Sequence, residues 1–262
     1  MEGKGWGGRD GGVSRGRLEF GHARKRSGRA ENRRTRIFGV EDKFGDYAIN
    51  EENKVRRLRE KARYDQATVH AVLDAGLVAH VAFVQDGRPF VIPMIYGREG
   101  ENLYLHGGSK ARIMKLLGAG EPICMNVTLL DGLVAARSAF SSSMNYRSAT
   151  VFGTGTVVEG ESEELRTLKI ISDHSFPGRW EELRDPLDSE IKQTGIVALR
   201  IESASAKISE GPPDDEDFDY AIPVWAGVLP ISNQFGKAED DPRLLPGVSL
   251  SPSIAALEGT RR

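Results

Sequence analysis

One cysteine, no long apolar run and no ordered spacing among the histidines set the first limits on this chain of 262 residues. With Cys124 alone, no internal disulfide can form, and a thiolate zinc cluster is excluded as well. Its setting, "PICMNVTLL", reads as a small buried hydrophobe. No stretch approaches the roughly 18 apolar residues of a membrane span, and the N-terminus lacks the apolar core of a secretory signal. A soluble, cytoplasmic protein is expected. The histidines, His22, His70, His80, His106 and His174, show no ligand-like spacing, so no metal site is expected. Neither "ARSAF" nor "SFPG" has the pattern of a nucleophile elbow, which removes the usual hydrolase signature. The glycines of "GTGTVVEG" lie inside a strand-like run with no helix opening after them, so they are not a dinucleotide fingerprint.

Charge is unevenly spread. Overall the chain carries a formal −2, but residues 1–36 hold 11 Lys or Arg against 4 Asp or Glu, together with 9 Gly. This segment is therefore +7 and the remainder −9. Residues 1–45 have too little apolar content to offset chain entropy and are expected to be disordered. Such a segment serves as a solvated tail, as a contact for RNA or another acidic surface, or as an Arg-rich transit peptide. The acidic remainder argues against nucleic acid as a partner of the folded part.

After the basic segment, local patterning becomes informative. A helix is expected after Asp65, with Val69, Val72 and Leu73 on one face and Gly76 at its end. The period then changes to two, giving strands Leu77–Gln85, Pro89–Tyr96 and Asn102–His106 separated by the turn signals Asp86-Gly87 and Glu99-Gly100. Loops this short force antiparallel pairing, because a parallel crossover needs a dozen residues or more. Ser109 is placed to cap a helix carrying Ile113, Met114 and Leu117, and Ser162 to cap a second one in "SEELRTLKIISDHS". Further strands are expected over Pro122–Leu130, around Tyr146–Val158 and in "GIVALRIESASAKI", with an acidic loop "GPPDDEDFDY" after them. The fold class that results is mainly β with peripheral helices, an antiparallel barrel. Residues 236–262 are expected to form an irregular tail.

Two groups of residues suggest chemistry. At a helix start, Gly107, Gly108, Ser109, Lys110 and Arg112 combine free N–H groups, a hydroxyl and two cations, which together suit a phosphate. An ordinary capped helix with solvated cations has the same sequence. The second group, Asn145, Tyr146, Arg147 and Ser148, opens a strand; alternation sends Tyr146 and Ser148 to one face and Arg147 to the other.

The segments "YDQATVHAVLDAGLVAHVAFVQDGRPFVIPMIYGREGENLYLHGGSKARIMKLL", "DGLVAARSAFSSSMNYRSATVFG", "FPGRW" and "VWAGVLPI" resemble, in that order, the flavin-nucleotide-binding branch of the pyridoxamine-phosphate-oxidase-like split barrels, which includes nitroimidazole-resistance proteins. The resemblance covers about residues 55–235. It implies a six-stranded split β-barrel, a homodimer, and FMN in the cleft between subunits. By position it implies that Val91, Ile92, Pro93, Met94 and Tyr96 run beside the isoalloxazine. His106, Gly107, Ser109, Lys110 and Arg112 would reach the phosphate and ribityl chain, and Asn145, Tyr146, Arg147 and Ser148 would face the flavin across the interface. Trp180 and Trp225 would be flavin, interface or core residues. The implied activity is an FMN-dependent oxidoreduction of a small planar or nitro-aromatic compound; a non-catalytic flavin- or haem-binding protein is the alternative. The C-terminal substrate pattern of the vitamin-forming oxidases is missing, which speaks against pyridoxamine phosphate as substrate.

Overall fold

The computed structural model describes residues 45–262, so the expectation for the basic N-terminal segment lies outside the described residues. A two-residue strand β1 (Ala62–Arg63) leads into α1 (Gln66–Ala75), whose cap is Asp65 accepting from Thr68 N at 2.8 Å. Strands β2 (Val78–Gln85), β3 (Arg88–Glu99) and β4 (Asn102–Gly108) follow as hairpins. At the first turn Asp86 and Gly87 both take positive φ, 51° and 72°, the type I′ geometry that matches strand twist. Helix α2 (Arg112–Leu117) and the long β5 (Ala119–Ala135) and β6 (Ser143–Val157) come next, then α3 (Glu161–Ser175) and α4 (Asp188–Gln193). The chain completes its sheet with β7 (Thr194–Arg200), β8 (Ser203–Ser209) and β9 (Gly227–Pro230) before the single turn α5 (Pro252–Ala255).

Nine strands share one antiparallel sheet, and six of them, β2, β3, β4, β7, β6 and β5, close into a ring. Closure rests on a short ladder in which His80, Ala82 and the residue between them pair with Asn126 through Cys124. Strands β1, β8 and β9 extend the wall outside that ring. The fold is thus the split barrel with peripheral helices. Its interior is filled by Val81, Tyr96, Leu103, Leu105, Met125, Val127, Val151 and Leu199, with Val69, Val72 and Leu73 of α1 packed against them. Among the described residues no helix is long and apolar enough to cross a membrane, and no group of three His, Cys, Asp or Glu could hold a metal.

Two of the expected caps are absent, for the same reason. Ser109 does not cap α2, which starts after Ala111; its N–H donates to Gln193 O at 2.8 Å and its hydroxyl to Lys192 O at 3.2 Å. Strand β4 continues its pairing with β7 as far as Gly108↔Thr194, and this long-range ladder draws Ser109 away from the helix. Ser162 lies inside α3, which starts one turn signal earlier behind Gly160 at φ 99°. In both places a backbone contact outcompetes a local side-chain bond.

Glycine marks where other chain presses on the wall. A Cβ on Gly97 would lie 2.8 Å from the backbone of Ile170 and Ile171, so α3 can approach β3 only there. One on Gly155 would meet Leu117 O at 2.1 Å, which gives the "GTG" run a packing role at the end of α2. On the neighbouring face of β3, Tyr96 is fully enclosed and donates its hydroxyl to Leu73 O at 2.5 Å and Gly76 O at 3.2 Å. Those are C-terminal carbonyls of α1 that the helix cannot satisfy itself.

The C-terminal residues return to the barrel. Gln234 bridges Arg261, Arg262 N donates to Asn233 O at 3.1 Å, and Glu182 accepts from Ser253 N at 2.9 Å and Ser253 Oγ at 2.5 Å. Tyr96→Phe is expected to leave the buried Leu73 O short of a donor, Gly76 O still accepting from His174 Nε2 at 2.6 Å, and to cost about 1–3 kcal/mol. In urea unfolding the midpoint should fall while the slope stays the same.

Candidate functional site

The wall of the barrel opens between β3 and β4. From Arg88 to Ile95, β3 is paired with β2, and only from Tyr96 to Glu99 is it also paired with β4. Beyond that point β4 keeps only its ladder with β7, so one edge of β3 has no ladder partner among the described residues. Pro89 and Pro93 fall in this stretch, consistent with an edge, where a missing N–H removes little pairing. Facing the free edge are His106, Gly107 and Ser109 at the end of β4, followed by Lys110 and Arg112. Lys110 and Arg112 are exposed, and the Arg112 guanidinium lies 5.0 Å from the centre of the Phe90 ring, reaching across the opening. Phe90 in turn stacks on Phe83 at 5.6 Å. Burial pushes the His106 imidazole below its ordinary pKa, so it is neutral at pH 7 and can donate or accept. Two of the three expected residue groups, 91–96 and 106–112, therefore meet at one split.

Alternation sorts the first group. Val91 is 60% exposed and shares the outer face with Pro93, while Ile92 and Met94 are half-buried toward the interior. Tyr96 differs from the expectation: it is enclosed beneath the site and spends its hydroxyl on α1, so it supports the wall and does not reach the surface.

The third group stands apart. Strand β6 is separated from β3 by β2 and β5, about 14 Å across the sheet. Tyr146 pairs with Leu130 and Ser148 with Thr128, which puts both on the outer face with Val91 and Pro93. Asn145 donates to Gly211 O at 3.0 Å. Arg147 makes a two-pronged pair with Asp131 at 3.0 and 2.8 Å, and this bond raises its pKa further. Asp131 sits at a bulge between Leu130 and Gly132, which re-aims it to meet Arg147. Of the tryptophans, Trp225 is 70% exposed and not a core residue, and Trp180 lies beside α3 and α4, away from the split.

Between the two rims, the outer face carries His80, Ala82, Cys124, Asn126 and Thr128. His80 is exposed, whereas burial lowers the pKa of both His70 and His174. A cleft of about 300 Å³ opens there, walled by Val78, His80 and Thr128 on the barrel and by Asn233, Phe235 and Arg262 from the C-terminal segment. The sequence does not show this cleft, since its C-terminal wall joins Asn233, Gln234 and Phe235 to Arg262 at the far end of the segment expected to be an irregular tail.

Residues 65–208 match the family described as pyridoxamine 5'-phosphate oxidase. The chain belongs to that family. Its fold is the one found in flavin-binding split-barrel proteins. A flavocytochrome from Azotobacter vinelandii is 42% identical, with a TM-score of 0.76 over 80% of this chain and 98% of that one. An FAD- and heme-binding protein from Mycobacterium smegmatis is 39% identical, with a TM-score of 0.73 over 76% of this chain and 98% of the other. No curated protein matches the chain. Both similar structures are covered almost end to end.

One carboxylate helps to fasten the C-terminal segment. Hydrogen bonds from Ser253, with Arg179 adding to them, hold Glu182 down at a pKa of about 2, against an ordinary 4.5. A depressed carboxylate stabilises docking fully above its ordinary value and loses that contribution as pH falls from 4.5 through 2. Glu182→Gln is expected to speed hydrogen exchange around Ser253 at pH 7, and the wild type should show the same loosening only as pH approaches 2.

Proposed function

We propose that this protein is a homodimeric, flavin-dependent oxidoreductase that seats FMN at the β3–β4 split and acts on a small planar or nitro-aromatic compound. The observation that carries the reading is the free edge of β3 facing Lys110 and Arg112. Isoalloxazine has an apolar body and a hydrogen-bonding rim. Val91 and Pro93 offer apolar surface, and the backbone groups of residues 91–94 that are not spent on β2, with Pro93 supplying a C=O alone, offer partners for the rim. The phosphate would go to Ser109, Lys110 and Arg112, where Arg gives a planar fork and Lys a point charge. When bound, the flavin supplies the hydride or electron transfer.

On one protomer Tyr146 and Ser148 are too far from the split to serve this ligand. A second copy, laid on the exposed apolar face that includes Val78, Val91 and Ile95, would bring them to it and cover that surface. His106, neutral and beside the split, is the nearest donor to a reacting group.

A second reading is haem binding, with or without turnover. His80, exposed within an apolar-walled cleft, is a ligand of the right type, and the two similar proteins are described as a flavocytochrome and as an FAD- and heme-binding protein. The visible absorption spectrum of the purified protein separates flavin from haem.

Titration of FMN, FAD and riboflavin against wild type and Arg112→Ala tests the flavin seat. Loss of a charge-assisted phosphate contact is expected to cost about 1.5–3 kcal/mol, or roughly ten- to a hundred-fold in FMN affinity, with little change for riboflavin. Equal affinities for all ligands in both proteins would place the phosphate elsewhere, and a monomer in sedimentation that still binds FMN tightly would rule out the shared site.

A further inference from the structure

The two cations of the flavin seat stand on a short piece of chain. Strand β4 keeps its ladder with β7 as far as Gly108↔Thr194 and α2 begins at Arg112, so only residues 109–111 join two fixed elements. Ala111 and Ile113 pack against the core, which turns Lys110 and Arg112, both exposed, outward. A bond from Ala111 N to Gly108 O at 2.8 Å closes the turn.

This segment is held from behind by the junction of α4 and β7. Ser109 N donates to Gln193 O at 2.8 Å and its hydroxyl to Lys192 O at 3.2 Å, carbonyls at the C-terminal end of α4 that the helix leaves unmet. Thr194 Oγ1 donates to Glu190 O at 2.9 Å and fastens α4 to the start of β7. Beside it, a Cβ on Gly195 would lie 3.1 Å from Ser109 Cα, so the segment seats this closely only on a glycine. Ser109 has two donors, N–H and O–H, and both are spent on α4. The cations are the reverse: Lys110 and Arg112 join no ion pair among the described residues, and Arg112 rests on the Phe90 ring.

We infer that the α4–β7 junction braces the phosphate seat, and that Ser109 and Gly195 are positioning residues that fix where Lys110 and Arg112 stand, Ser109 itself making no bond to the phosphate. The inference rests on the flavin seat proposed above and refines it. A shift of Ser109 passes along the chain to both cations, and a guanidinium fork meets two phosphate oxygens only over a narrow range of placement. Riboflavin has no phosphate and is indifferent to that shift.

The test measures FMN and riboflavin affinity of the full chain by quenching of flavin fluorescence. Gly195→Ala keeps every donor and pushes on Ser109; Ser109→Ala removes the bond to Lys192 O and keeps the N–H. Each is made in the wild type and in a Lys110→Ala/Arg112→Ala background. FMN affinity is expected to fall about three- to tenfold in Gly195→Ala and about two- to threefold in Ser109→Ala, with riboflavin unchanged. Because both variants act through the cations, both losses should vanish in the background that lacks them. A Ser109→Ala loss that persists there would make Ser109 a phosphate ligand and overturn the inference, as would unchanged FMN affinity in Gly195→Ala. Equal losses for FMN and riboflavin, with a lower apo melting temperature, would mean a general loosening of the fold and also overturn it. If Lys110→Ala/Arg112→Ala leaves FMN binding untouched, the flavin seat is wrong and the brace falls with it. A loss there with none in Gly195→Ala leaves the seat standing and removes the brace alone.

Discussion

The hydroxyl of Tyr96 holds the site's supporting structure in register. It donates to Leu73 O and Gly76 O, carbonyls that α1 leaves unmet, and its ring lies 4.6 Å from that of His174 on α3. Burial of the phenol in this position fixes which residues of β3 face inward. Because side chains alternate, Val91 and Pro93 must then face out. A slip of one residue would expose the phenol and bury Pro93 against the core. The same cluster carries the constraint outward, since His174 also presents its carbonyl to Arg262 and so joins the C-terminal segment to the barrel.

The split is the structural cost of a binding edge. A strand with a free edge invites pairing with another chain, and natural proteins limit this with prolines, short length or a cover. Here Pro89 and Pro93 interrupt the donors of β3, and the Arg112 side chain leans over Phe90 at the opening. What remains open is a short run of backbone polar groups beside cations. Those groups are more useful to a planar, polar-rimmed ligand than to a passing strand. The bulge at Asp131 plays the corresponding part on the far rim, turning a carboxylate toward Arg147 and holding that guanidinium in place.

Surface ion pairs surround both regions, but most are exposed and contribute little to stability. Arg137 with the buried Asp215 is different. Asp215 also accepts from Arg137 N at 2.9 Å, so the acidic loop is fastened to the end of β5 by a carboxylate enclosed by protein. The acidic run therefore has two buried members, Asp215 and Asp219, among residues that sequence alone presents as equivalent.

Sequence by itself determined the features that depend on near neighbours. Asp65 three residues before Thr68 gave the cap of α1, Asp86-Gly87 the first hairpin turn, and short loops the antiparallel sheet. The ordered segments from Tyr64 to Ile231 carried the resemblance to the family, which the match over residues 65–208 bears out. Distant pairing decided the rest. Ser109 bonds to Lys192, 83 residues away, and so leaves α2 uncapped. Residues 91–96 and 106–112 meet because the β3–β4 ladder ends at Tyr96↔Leu105 while β4 continues along β7, an outcome of strand register rather than of either segment. His80 and Arg262 line one cleft although nearly the whole described chain separates them. Local preferences are set by backbone sterics and bonds over a few residues, whereas a cleft or a free strand edge exists only after the entire sheet has closed.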